Sequence, residues 1–326
     1  MNLNLYDQDL NRIAIIGSRF VSCLWAEGYN TVQPFTLELQ ETEEYRMKIR
    51  PDCYIGRDDR RTLMVIKTVQ VMDKRIVASG FQVPRVLDDS AFVGTIPSGS
   101  HVDTSIRNAY EGSTKYHLVE FADSDLQVTY GSQISHKSIL TLCTTMCQST
   151  DMGFRAVRNQ KQILVEFYKP EINPNLVFSE RFGNLILNSV TLSTENLKNY
   201  AIVLGQGEEE NRIRVDVDLT SGAARRELIV DARDLKMENG ETEASYRKRL
   251  QARGIEQLLK KTRTWECALN PIAKDFGVRY DLGDILTVLL PEYGMKLQAR
   301  VAKFTQKAQN NKTTTTIEVG EITITR

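Results

Sequence analysis

The amino-acid sequence predicts a mainly β fold of α+β type: two similar β regions with a small α+β unit between them, the second β region carrying a helical insertion. Three observations predict it. Short runs rich in β-branched and aromatic residues, bounded by Gly, Asn, Asp and Pro, recur along most of the chain. Helical periodicity is confined to residues 102–111, 135–150 and 242–261. A strand pattern near the start also returns near the end. The 326 residues suit either two domains of about 150 residues or one large β assembly.

In chain order, Arg12-Ile-Ala-Ile-Ile16, Phe20-Val-Ser-Cys-Leu-Trp25 and Phe35-Thr-Leu-Glu-Leu39 read as strands, the third alternating apolar and polar so that one face is covered. Cys53-Tyr-Ile-Gly-Arg57, the run 63–71 and Arg75-Ile-Val-Ala-Ser79 follow, the last two joined through Met72-Asp-Lys74 at hairpin spacing. Residues 1–90 therefore read as a first all-β domain, a small barrel. Residues 91–170 read as a small α+β domain. It holds a helix over 102–111 closed by Gly112, and a second over 135–150 with Ile139, Leu140, Cys143, Met146 and Cys147 on one stripe. Strands at 154–157 and 163–168 complete it. Residues 171–326 read as the second β domain, with strands at 199–204, 211–217, 226–231, 264–269, 285–289, 296–302 and 313–325. The helix of its insertion, about 236–262, carries acids at its start, Lys260 and Lys261 at its end, and the pairs Glu243–Arg247 and Glu256–Lys260.

Composition excludes several function classes. Forty-two Lys and Arg balance 42 Asp and Glu, with a pI near 6.9, which argues against DNA binding by phosphate neutralisation. Hydrophobic residues at 41% and charged residues at 26% are those of a globular chain rather than a disordered one. The longest apolar runs, such as 284–291, fall short of the roughly 20 residues of a bilayer span. The opening residues show neither a basic nor an apolar signal segment, so the expectation is a chain without membrane anchor, folded in a cytoplasm. The five cysteines (Cys23, Cys53, Cys143, Cys147, Cys267) are odd in number and scattered, and read as reduced core thiols. His136, Cys143 and Cys147 would share one helical face, but one face cannot close a tetrahedral metal site, so no metal is expected.

The search for catalysis returns nothing specific. Gly205-Gln-Gly207 follows a strand, yet Glu210 stands where a dinucleotide fingerprint needs its third glycine, and Glu208-Glu-Glu210 would repel a pyrophosphate. An acidic hairpin tip is the better reading. There is no Walker loop, nucleophile elbow or zinc-protease motif. The three histidines, His101, His117 and His136, have no local nucleophile signature, and no feature selects a carboxylate pair for glycoside hydrolysis. No cofactor is expected. Trp25 and Trp265, with Tyr29 and Tyr45, would form either a sugar-stacking surface or core and interface anchors, the second reading being the stronger.

The pattern Pro51-Asp-Cys-Tyr-Ile55, 63–71, 76–80 is echoed by Gly283-Asp-Ile-Leu-Thr-Val288, 295–304, 316–320: a strand after Asp52 or Asp284, a long strand, and a strand closing on Gly80 or Gly320. Alongside it stand Phe20-Val-Ser-Cys-Leu-Trp25 with Tyr29 and Phe35-Thr-Leu-Glu-Leu39, and Val177-Phe-Ser-Glu-Arg-Phe-Gly-Asn-Leu185. Most specific are Asn199-Tyr-Ala-Ile-Val-Leu-Gly-Gln-Gly-Glu208, Arg225-Arg-Glu-Leu-Ile-Val-Asp-Ala-Arg-Asp-Leu235 and Tyr280-Asp-Leu-Gly-Asp-Ile285. In these motifs, over nearly its whole length, the chain resembles the tail hub proteins of long-tailed phages, a family that includes the structural N-terminal part of tail-associated lysins. It departs from the family in Ala-Glu-Gly after Trp25, which shortens the usual turn, and in stopping at Arg326, without the C-terminal lysin or receptor-binding extension.

The resemblance implies a homotrimer at the distal end of the tail tube, each subunit with two similar β-barrel domains, so that six near-equivalent barrels dock on a sixfold tube and leave a threefold tip. Its implied partners are the distal tail protein, the tail tube protein, the C-terminus of the tape-measure protein, and a tail fibre or spike. DNA would pass only through the lumen. The setting would be a virion tail tip, or a tail-like particle such as a bacteriocin, assembled in the host cytoplasm. Candidate interface and structural residues are Trp25, Tyr29, Arg225, Arg226, Glu227, Asp231, Arg233, Asp234 and Asp284, with the charges of 225–234 making either intersubunit salt bridges or a solvated strand with a bonded loop. The rival functions are a cell-wall hydrolase and a carbohydrate-binding module.

Overall fold

Strands begin where the sequence alternates. The first β module contains β1 (Leu3–Tyr6), β2 (Arg12–Gly17), β3 (Ser22–Gly28), β4 (Pro34–Gln40), the short helix α1 (Glu43–Lys48), β5 (Tyr54–Arg57), β6 (Leu63–Met72) and β7 (Arg75–Gln82). In β4, Phe35, Leu37 and Leu39 are buried while the residues between them are half-exposed, the two-residue period of a one-faced strand. β6 and β7 close on Asp73 and Lys74, both at positive φ (52° and 60°), which matches the twist of a two-residue hairpin. The computed structural model describes residues 1–113, 116–208, 211–238, 240–261, 264–271, 276–310 and 312–325. It separates into a unit of Met1–Ile186 with Leu269–Arg326 and a unit of Leu187–Ala268.

The α+β part of the first unit holds β8 (Ala91–Ile96), α2 (Val102–Glu111), β9 (Val119–Phe121), β10 (Ile134–Ser138), α3 (Ile139–Ser149), β11 (Gly153–Asn159) and β12 (Gln162–Tyr168). Ile106 and Tyr110 of α2 and Leu142, Cys143, Met146 and Cys147 of α3 share one core with Tyr54, Leu63 and Val65 of the first β module. Burying each such large side chain contributes about 1.5–3 kcal/mol. The helix expected over 135–150 starts only at Ile139, where Ser138 caps it by accepting from the Thr141 N–H at 3.2 Å. His136 is the reason: its φ is +51° at a register shift in the β8–β10 pair, and that conformation breaks a helix. His136 is therefore an exposed strand residue and shares no face with Cys143 and Cys147. Those two are fully buried, and burial pushes both thiols far up from their ordinary range.

Beyond these come β13 (Ile172–Phe178), β14 (Leu185–Ser193), β15 (Tyr200–Leu204), β16 (Arg214–Asp218), β17 (Glu227–Asp231), α4 (Glu243–Leu259), β18 (Thr264–Pro271), β19 (Ile285–Leu290), β20 (Met295–Gln309) and β21 (Lys312–Thr325). The second unit contains a three-stranded sheet, β16-β15-β17, with α4 on one face, and most of the two-stranded sheet β14-β18. Gly254 of α4 leaves room for Val203 and Val217, since a Cβ there would lie 2.7 and 2.8 Å from them. In Gly205-Gln-Gly207 the Gln206 N–H donates to the Tyr246 hydroxyl at 2.9 Å, so this turn serves helix packing. It joins the antiparallel strands β15 and β16; residues 209 and 210 of the expected acidic tip lie outside the described residues. Glu243–Arg247 and Glu256–Lys260 form as ion pairs at 2.7 and 2.6 Å.

Eleven strands of the first unit make one sheet in the order β13-β19-β20-β3-β4-β7-β6-β5-β1-β2, with β21 also on β20. All pairs are antiparallel except β13 with β19. This path is open, and the described strands close no barrel. The Thr-rich end is a full strand, paired with β20 from Lys312 to Thr325. Among the described residues, no helix is long and apolar enough to cross a membrane.

Within that sheet the meanders β5-β6-β7 and β19-β20-β21 share a hydrogen-bond register. The Asp52 N–H donates to Ile66 O (2.7 Å) and the Ile66 N–H to Cys53 O (2.9 Å). In the other meander the Gly283 N–H donates to Val301 O (2.8 Å) and the Val301 N–H to Asp284 O (2.9 Å). Each is a bulge, two residues against one, whose first residue has positive φ: 65° at Asp52 and 90° at Gly283. A second bulge follows in both, leaving Lys67 between Ile66 and Thr68 and Ala302 between Val301 and Lys303. The register then equates Tyr54–Val65 with Ile285–Arg300 and Ile66–Gly80 with Val301–Val319. Asp52 thus matches Gly283, and Gly80 matches Val319, one residue away from the match by residue type. The backbone conformation, not the carboxylate, is what repeats. Position 283 needs glycine twice over, for its φ and because a Cβ would lie 2.5 Å from a Tyr29 ring carbon.

Candidate functional site

The two β modules meet where β3 pairs with β20, and the polar chemistry of the first unit gathers there. Trp25 and Glu27 leave the same face of β3. Trp25 is fully buried, and its indole N–H donates to Glu27 Oε1 at 2.7 Å. Glu27, 1% exposed, also receives Arg60, with Nε 2.6 Å from Oε1 and Nη2 donating to Oε2 at 2.9 Å, and the Thr62 hydroxyl at 3.1 Å. The Arg60 guanidinium carbon lies 5.0 and 4.9 Å from the ring centres of Phe276 and Phe304, which are stacked 4.7 Å apart. Next to it Arg57 forks onto Asp59, donates to the Gln306 amide oxygen at 2.8 Å, and lies over the Trp25 ring at 5.2 Å. All of these residues but Trp25 line a cavity of about 470 Å³.

A second cluster ties the seam to the α+β part. The Tyr29 hydroxyl and the Asn30 amide both donate to Met152 O at 2.7 Å, and Asn30 Oδ1 accepts from the Phe154 N–H. Arg300, buried over the Tyr29 ring, donates to Gly283 O and to Asp151 Oδ1, both at 3.0 Å. Asp284 sits at the bulge and accepts from the N–H groups of Glu171 (3.0 Å) and Asp281 (2.8 Å). It orders its loop.

Asp281 is the group of the cavity whose ionisation works against the fold. Burial raises its carboxyl above the usual range, and Glu27 adds to this against the opposing charges of Arg60 and Arg155. A carboxyl raised in the folded state disfavours folding once it ionises, so stability falls as pH rises through the folded-state value. Asp281→Asn keeps an oxygen for the Leu282 N–H, now accepted at 2.8 Å. Its melting temperature is expected to exceed that of the parent at pH 7, with the difference vanishing in acid, where Asp281 is already protonated. A lower melting temperature at pH 7 would show that the 3.8 Å contact with Arg60 outweighs burial.

The remaining sequence-selected residues lie in the second unit. Arg225 stacks on Tyr200, 3.4 Å from its ring centre, and pairs with Glu227 at 2.7 Å. Arg226 donates to Thr194 O, and its N–H to Asn199 Oδ1. Asp231 accepts from Arg233 and Arg212, which together hold its carboxyl far below the ordinary range. Asp234 pairs with Arg253 of α4 at 3.0 Å. In one chain these charges bond among themselves. Of the aromatic set, Trp25 and Tyr45 are core and Tyr29 is half-buried; the side chain of Trp265 lies outside the described residues.

Sequence reasoning missed Glu27, Arg57, Arg60, Arg300, Phe276 and Phe304. One signal was present: Glu27 stands two residues after Trp25 in a strand, hence on its face. Among the described residues that line the cavity, there is no cysteine, serine or histidine. Arg57 is paired with Asp59 and Arg60 with Glu27 and Asp281, while Arg61 and Arg155 share Glu166.

Comparison with known proteins gives the family and the fold. The family described as Siphovirus ReqiPepy6 Gp37-like protein matches residues 107–321, well over half of the chain. The chain belongs to that siphovirus tail protein family. The family likeness read from the sequence motifs is therefore borne out at the level of phage tail proteins. Three solved structures share the fold at low identity. The prophage MuSo2 43 kDa tail protein from Shewanella oneidensis has a TM-score of 0.60 at 10% identity, covering 98% of both chains. The prophage tail protein gp18 from Listeria monocytogenes EGD-e gives 0.58 at 10%, covering 98% of this chain and 94% of that one. The tail protein from Neisseria meningitidis MC58 gives 0.57 at 13%, covering 98% and 96%. No curated protein matches the chain.

Proposed function

We propose that this siphovirus-family tail protein is the hub of a tail tip, in a complete phage or a phage-tail-like bacteriocin, and acts without catalysis. It works as a homotrimer that fits a sixfold tail tube to a threefold tip. The tube and distal tail proteins bind on one side, the fibre or spike on the other, and the tape-measure C-terminus and passing DNA occupy the lumen. Residues 1–90 and 171–326 supply the two barrel-like hub domains and 91–170 the domain between them. The charges from Arg225 to Asp234 are held ready for subunit contacts.

The observation that carries this reading is the repeated meander with matching bulges at Asp52 and Gly283. One chain with two equivalent β modules gives six in a trimer, which a sixfold surface can accept. The neutralised cavity at Glu27 and Arg60 and the zero net charge favour a part held between protein layers over an enzyme. Light scattering on the eluting protein is expected to give three times the 37.1 kDa of one chain, and electron microscopy a threefold ring with six similar lobes. A monomer that clears cell walls would replace the proposal with a hydrolase.

A further inference from the structure

The repeated register exposes an asymmetry. In the second meander, residues 303–309 of β20 pair on one side with β21 and on the other with β3, so that this segment has no free edge. The equivalent stretch of the first meander is residues 68–72 of β6, counted from the shared bulge. It pairs with β7, while β5 reaches only residues 63–65, so no strand of this chain covers its outer edge among the described residues. Met72 and Arg75 close a two-residue hairpin and exchange hydrogen bonds. By alternation, the N–H and C=O of Val69 and Val71 point outward. Their counterparts Phe304 and Gln306 face Glu27 and Trp25 of β3. Val71 and Met72 are also 50% and 57% exposed. The terminal strand on the same side of the sheet is guarded: Lys48 donates to Ile13 O and Arg19 to Ile15 O along β2, the usual protection of an edge.

The occupant is indicated by chain order. In the first half of the chain β3 and β4 precede the meander. In the second half, with β13 already paired to β19 and the separate sheet β16-β15-β17 set aside, the strands between β13 and β19 are β14 and β18, which form a two-stranded sheet outside the eleven-stranded one. β14 is thus the counterpart of β3, and its Ile186 is 53% exposed. We propose that residues 68–72 of β6 accept β14 of a second copy of this chain as an added antiparallel strand, as β20 accepts β3 within one chain. This rests on the hub reading above and names the strands that join its subunits.

The test uses the full chain. Val71→Pro removes one outward N–H and leaves the β6–β7 ladder intact, and Val71→Lys charges the edge without touching the backbone. Both are expected to keep the circular dichroism of the parent and to lose the trimer peak in size-exclusion light scattering. In the parent trimer the amides of Val69 and Val71 should resist hydrogen exchange, and in the variants exchange freely. Chains with Gln70→Cys mixed with chains carrying Asn188→Cys, Ser189→Cys or Thr191→Cys should give an intermolecular disulfide. A trimer that survives both Val71 substitutions, or whose Val69 and Val71 amides exchange freely, overturns the strand addition and leaves the hub reading standing. A parent chain monomeric at every concentration overturns both.

Discussion

Trp25→Ala is expected to leave most of the chain unfolded or aggregated at 37 °C. Truncating a fully buried tryptophan costs about 3–5 kcal/mol, and here the loss is compounded. Glu27 loses the indole N–H at 2.7 Å, Phe35 loses an edge-to-face partner at 5.9 Å, and Arg57 loses the ring beneath it. Losing one hydrogen bond to a charged group adds about 1.5–3 kcal/mol, against a total stability of about 5–15 kcal/mol for a domain. Trp25→Phe keeps a ring for Phe35 and Arg57 but not the N–H, and should lie between parent and alanine variant. Urea unfolding read by circular dichroism measures both. An alanine variant with an unchanged midpoint that has lost only sugar binding would return Trp25 to the surface-platform role.

Removing Glu27 is expected to be nearly as damaging. Glu27→Ala leaves the Arg60 guanidinium, 16% exposed, against Phe276 and Phe304 with Asp281 at 3.8 Å as its remaining ion-pair partner among the described residues. Breaking a buried ion pair from one side typically costs about 3–5 kcal/mol, because the surviving charge has no counterion. Glu27→Gln keeps an acceptor for Trp25 and should lose less. The decisive measurement is the double variant Glu27→Gln, Arg60→Met. With both charges gone it should be more stable than the sum of the single losses allows, by about 0.5–3 kcal/mol of coupling. Additive losses would mean that the pair contributes nothing specific and that the seam is held by its apolar residues.

The two variants touch the parts of the protein that differed most in legibility. Trp25 could be read as an anchor because it lies in a short apolar strand. Glu27 could not be read as its partner, because 42 acids offer no reason to prefer one. Arg300 and Phe304 were out of reach for another reason: both lie in a stretch read as strand, but their partners (Gly283, Asp151 and Tyr29 for Arg300, Glu27 of β3 for Phe304) are distant in sequence or carry no local signal that would select them. The strands β1, β8 and β13 escaped because they are short or flanked by prolines and charges, where tertiary pairing overrides local preference.

Local chemistry alone determined the helix at Val102–Glu111, the helix from Glu243, the hairpin at Asp73-Lys74 and the buried thiols, because capping, period and turn conformation act within a few residues. It also announced two related β meanders. Only the three-dimensional structure decided that they lie in one sheet, that Asp52 answers to Gly283 rather than to Asp284, and that Glu27 neutralises Arg60. Each of these depends on which backbone hydrogen bonds form between segments separated by tens to hundreds of residues, and a bulge that shifts register by one leaves no trace in side-chain type.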